Sequence, residues 1–89
     1  MKVNKDYVLR QVADTWVVLP LAETTVDFNG MLKLNASGAM LWRALEKGTD
    51  RASLGKLLCD TYEVTEAQAM ADVDEFLTAL QNTGCILSD

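Results

Sequence analysis

Histidine is absent from this 89-residue chain. That removes the Ser–His–Asp and Cys–His nucleophilic arrangements and every metal site built on imidazole. Cysteine occurs only at Cys59 and Cys85, far apart and without a CxxC. Two isolated thiols cannot complete a structural zinc site. The reading that fits is a free, buried thiol at each position in a reducing cytoplasm, with a disulfide or a metal ligand as the alternative. No apolar run approaches the roughly 18 residues that mark a membrane span, and the start of the chain lacks the basic, apolar, small-residue order of a secretory signal. The expectation is a cytoplasmic protein without a membrane span. The glycines form neither GxGxxG nor the phosphate loop ending in GK[ST]. These absences predict a protein that is not an enzyme and holds neither metal nor cofactor.

Basic residues are missing from the last third. All eight Lys and Arg lie between Lys2 and Lys56, where six acids leave a net charge of +2. From Leu57 onward there are seven acids and no base. Such an end repels phosphate and favours a cationic partner, although a solvated helix face accounts for the same pattern.

The residues present divide into two halves. "YVLRQVADTWVVLPL" alternates Tyr7, Leu9 and Gln11 with Val8, Arg10 and Val12, breaks at "ADT", and resumes with Trp16 to Leu19. This predicts a β-hairpin, ended or edged by Pro20. "AETTVDFNG" is a polar connection with a turn signal at Asn29-Gly30. A third strand follows over Met31 to Leu34, with Val26 as its earliest start.

Three helices come next. Asn35 is a helix N-cap that lets the strand pass almost directly into a helix over about Ala36 to Glu46. Leu41, Trp42 and Leu45 form its buried stripe, Gly48 stops it, and Gly38 permits close approach by another backbone. Asp50 caps a second helix whose apolar face is Leu54, Leu57, Leu58 and Tyr62; Gly55 is a weak point in it. "TEAQ" is a capping box for the third helix, with Thr65 capping and Gln68 reaching back. Ala69, Val73, Phe76, Leu77 and Leu80 form its core stripe, and Gly84 ends it before "CIL" packs back on the fold.

Strands followed by helices indicate α+β, here a three-stranded antiparallel sheet followed by three helices in one domain over residues 1–89. Hydrophobic content of 49% suffices for a core. A domain this small is marginal alone, so a partner or a homodimer would add to its stability.

The last two helices have the order of a helix-turn-helix. The recognition helix would be Glu66 to Thr83, with four acids and no Lys or Arg. Phosphate would repel it, so nucleic acid is not the expected partner. On a helix, Asp72 and Asp74 point about 200° apart while Asp72 and Glu75 share a face. Exposed carboxylates so placed are solvated rather than catalytic. Trp16, Phe28, Trp42, Tyr62 and Phe76 sit at packing positions.

"DFNGMLKLNASGAMLW", then "GTD…L..LL…YEV", then "DVDEFLTALQNTGCI" resembles the PqqD family over almost the whole chain. The motifs are "LN..G...W", "L...YEV" and "DV..FL..L...G", in family order and spacing; "CIL" departs from the usual aliphatic ending. The chain is similar to a stand-alone RiPP recognition element, a domain that binds leader peptides of ribosomally made, modified peptides. The resemblance implies a winged-helix-like fold and a leader peptide that adds as a strand to the third strand, against the third helix. It also implies a partner enzyme, commonly a radical S-adenosylmethionine enzyme, which would carry the iron–sulfur chemistry. The edge offered would be Gly30, Met31, Leu32, Lys33 and Leu34, with Lys33 discouraging unwanted pairing. The facing wall of the third helix would be Met70, Asp74, Leu77 and Gln81, bordered by Val73. There Met70 would adapt to apolar anchors and Asp74 would meet a basic leader residue. The alternative is a winged-helix-like protein–protein adaptor or transcription-regulator domain.

Overall fold

Alternating, β-branched sequence at the start of the chain folds as expected. A computed structural model of the chain describes residues 2–20 and 32–87. The strands are β1 (Lys2–Val3), β2 (Tyr7–Val12), β3 (Thr15–Pro20), β4 (Leu32–Leu34) and β5 (Ile86–Leu87). The helices are α1 (Ala36–Glu46), α2 (Arg51–Thr61) and α3 (Glu66–Thr83). The connection over 21–31 lies outside the described residues, and with it the expected Asn29-Gly30 turn, Phe28, and the start of the third strand.

β2, β3 and β4 form one antiparallel sheet in that order. The hairpin register pairs Tyr7 with Pro20 and Val12 with Thr15, so the loop is Ala13-Asp14. Ala13 takes φ 55°, a left-handed conformation in which a side chain is strained. β4 pairs Leu32 with Val18 and Leu34 with Trp16. A second sheet was not foreseen: β1 pairs antiparallel with β5, joining the two ends of the fold. Hydrogen bonds support this closure, from Asn4 N to the Cys85 carbonyl at 2.7 Å and from the Tyr7 hydroxyl to the Thr83 carbonyl at 3.1 Å.

Each helix begins where a short polar side chain can accept from a free backbone amide. Asn35 Oδ1 accepts from Gly38 N at 2.8 Å, Asp50 Oδ1 from Ser53 N at 2.8 Å, and Thr65 Oγ1 from Gln68 N at 3.1 Å. The Asp50 carboxyl is held below its ordinary pKa by the backbone hydrogen bond from Ser53. Half of the expected capping box is absent. Gln68 does not reach back; its Nε2 donates to Asp72 Oδ1 at 2.8 Å. A carboxylate four residues ahead is a stronger, charge-assisted partner.

The core lies where the three helices cover the sheet. Val18, Leu41, Trp42, Leu45, Leu54 and Leu80 are essentially removed from solvent. They form one cluster with Val73, Leu77, Cys85 and Ile86. Cys85 is a free, buried thiol whose pKa is raised by that burial. Cys59, also free, is half-buried rather than buried. Two aromatic residues differ from the sequence reading. Trp16 is half-buried with the Arg43 guanidinium 4.7 Å from its ring centroid. Tyr62, expected on the packed face of α2, follows the helix and is 41% exposed.

Candidate functional site

A groove of about 640 Å³ opens between β4 and α3. Its position follows from the Asn35 cap. Because the chain turns from strand to helix within one residue, β4 and the first turn of α1 form one continuous wall. Gly38 makes the turn possible: a Cβ there would stand 3.2 Å from Leu34 Cβ, tighter than ordinary contact. On this wall Leu32, Lys33 and Leu34 all line the groove. Leu32 and Leu34 are half-buried and Lys33 is exposed, as strand alternation requires. β4 lies at the end of its sheet and pairs only with β3 among the described residues. Gly30 and Met31, expected on the same edge, lie outside the described residues.

The floor comes from two helices. Leu41 of α1 and Leu58 of α2 close it from below, at 2% and 4% exposure. Tyr62 and Val64, just after α2, stand at one end. The exposed position of Tyr62 is thus at the mouth of the groove.

The opposite wall is α3, turned differently from the expectation. Asp72, Glu75, Phe76 and Ala79 line the groove. At about 100° per residue their mean direction lies about 190° around the helix from Met70. The expected wall residues are placed elsewhere. Val73 and Leu77 are in the core, at 0% and 6% exposure. Met70 packs on α2, where a Cβ at Gly55 would collide with its Sδ. Asp74 accepts from Arg51 at the start of α2, through Nε at 2.5 Å and Nη2 at 2.8 Å. That guanidinium holds the Asp74 carboxyl below its usual pKa, and the carboxylate in turn raises that of Arg51. Gln81 is exposed and does not line the groove. The structure therefore brings Leu32, Lys33 and Leu34 together with Asp72, Glu75 and Phe76, and separates them from Met70, Asp74 and Gln81. The missed residues carried a signal: Asp72 and Glu75 share a face, and Phe76 lies beside them.

Among the described residues, no helix is long and apolar enough to cross a membrane, and no three His, Cys, Asp or Glu residues form a group that could hold a metal ion.

Comparison with known proteins fits this geometry. The family described as "Coenzyme PQQ synthesis protein D (PqqD)" matches residues 15–86. Among solved structures, the chain is similar to "TbiB1 in Complex with the TbiA(beta) Leader Peptide", with 27% identity, 100% of both chains covered and a TM-score of 0.77. It also shares its fold with "Lasso peptide synthetase B1 complexed with the leader peptide", at 22% identity, 98% of this chain and 96% of that chain covered, and a TM-score of 0.76. No curated protein matches the chain.

Proposed function

We propose that this chain, which belongs to the PqqD family, binds the leader of a ribosomally made precursor peptide in the groove between β4 and α3 and presents it to a modifying enzyme. The observation that carries this reading is a strand edge without a partner among the described residues, beside an apolar-floored groove walled by α3. Strand addition draws affinity from main-chain hydrogen bonds and specificity from side-chain pockets. A solved relative with the same fold over its full length was captured with a leader peptide, which supports the reading.

In this reading the chain performs no chemistry itself and works in the cytoplasm; the modifying enzyme carries the reaction. The family resemblance suggests a radical S-adenosylmethionine enzyme in that place. The second solved structure, a lasso peptide synthetase B1 complexed with the leader peptide, suggests lasso peptide synthesis as the second reading to test. Pull-down of the tagged chain with enzymes of each class separates the two. The edge of β4 that accepts a leader would also accept a second copy, so a homodimer would compete with the leader. Light scattering should then show association that added leader reverses.

The test is calorimetric titration with synthetic peptides that match short reading frames beside the chain's own gene. Binding tighter than about 10 µM by one of them is expected, within the range of about −7 kcal/mol or better. Absence of binding by all of them transfers the chain to the adaptor reading.

A further inference from the structure

We infer that the groove reads a leader by paired chemistry, an apolar side chain and a lysine or arginine two residues away, with Asp72 and Glu75 as the residues that choose the cation. This inference rests on the groove being the leader site. A peptide added to β4 would point every second side chain to the same face, so residues i and i+2 both meet the α3 wall. That wall offers two different surfaces. Leu34 and Phe76, half-buried over Leu41 and Leu58, form an apolar seat. Asp72 and Glu75, three residues apart on one face of α3, form an anionic rim beside it. The small side chain of Ala79 leaves space on the same wall.

The rim is chemically available. Asp72 Oδ1 accepts from Gln68 Nε2, a neutral donor that leaves the carboxylate its charge. Among the described residues, the ion pair on this helix is made by Asp74 with Arg51, on the other face. The groove's own cation, Lys33, stands on the β4 wall. The segment from Leu57 onward has no basic residue at all, so its field adds to the attraction for a cation. A leader with Asp or Glu at that position would meet like charge, which is a means of rejection as well as selection.

The experiment is selection from a displayed library of short random peptides against three forms of the full chain: wild type, Asp72→Lys/Glu75→Lys, and Asp72→Asn/Glu75→Gln. The expected result is enrichment of an apolar residue with Lys or Arg two positions away by wild type. The reversed variant should enrich Asp or Glu there, and the neutral variant neither sign. A wild-type-selected peptide should bind the reversed variant about tenfold more weakly or worse. The neutral variant keeps the test decisive should the reversed one fold poorly. Enrichment of the same charges by all three forms overturns the inference but leaves the peptide groove in place. Failure of wild type to enrich peptides, or enrichment left unchanged in a folded Phe76→Ala form of the chain, overturns the groove reading itself.

Discussion

One flank of α3 packs on α2 and the other lines the groove beside β4. One face is held to α2 by shape and charge: Met70 sits at Gly55 and Asp74 pairs with Arg51. The other face carries Asp72, Glu75 and a half-buried Phe76 beside an open groove. Between them runs the core stripe of Ala69, Val73, Leu77 and Leu80. The difference shows that a helix flank becomes a groove wall through the element it is left facing. Each flank sets acid beside one large apolar side chain, Asp74 with Met70 on one and Asp72 and Glu75 with Phe76 on the other. Only one of them meets β4.

The largest expected effect separates the stripe from the groove. Leu80→Ala, at a fully buried position, should lower stability by about 2–5 kcal/mol in a thermal or denaturant melt. Phe76→Ala should cost less stability, because the ring is already partly exposed, and should abolish measurable leader binding. Retained binding by a folded Phe76→Ala protein would break the comparison.

Next in size is the joint with α2. Gly55→Ala should change stability by no more than about 1 kcal/mol, because the helix-propensity gain of Ala offsets the displacement of the flexible Met70 thioether. With Met70→Ala already in place, Gly55→Ala should be more favourable than in wild type, a coupling that a double-mutant cycle reads directly. Neither change should alter leader affinity. An effect on affinity as large as that of Phe76→Ala would mean that the two faces are not independent.

The smallest effect belongs to the exposed ion pair. The folded pKa of Asp74 lies below its ordinary value, so the pair contributes above the unfolded carboxylate pKa, near 3.9, and fades as pH falls through the folded value. Arg51→Ala should therefore be slightly less stable than wild type at neutral pH. The two proteins should begin to converge as pH falls below about 4 and match only below the folded pKa of Asp74. A gap that widens on acidification would contradict the pairing.

The sequence made most of the fold legible because its caps are explicit. Asn35, Asp50 and Thr65 each accept the amide that their positions implied, and Gly48 and Gly84 both adopt positive φ after their helices. The β1–β5 pair was not legible, since two-residue strands carry no periodicity. The site was half legible. The β4 edge was visible in the abrupt change at "LNAS". The α3 wall was misplaced because Met70 and Asp74 look as suitable as Phe76 and Asp72 until the neighbours are known. Gly55 held the missing information: a glycine inside α2 marked the seat that takes Met70 away from the groove.

The central claim is strand addition on β4 opposite the Asp72–Phe76 wall. Amide hydrogen exchange followed by NMR, with and without the strongest peptide from the display selection, tests it most directly. Slowed exchange at one or more of Leu32, Lys33 and Leu34, together with shifts at Phe76 and Glu75 and none at Met70 or Gly55, is the predicted result. Unchanged exchange across β4, with the shifts gathered around Met70 and Gly55, would contradict it.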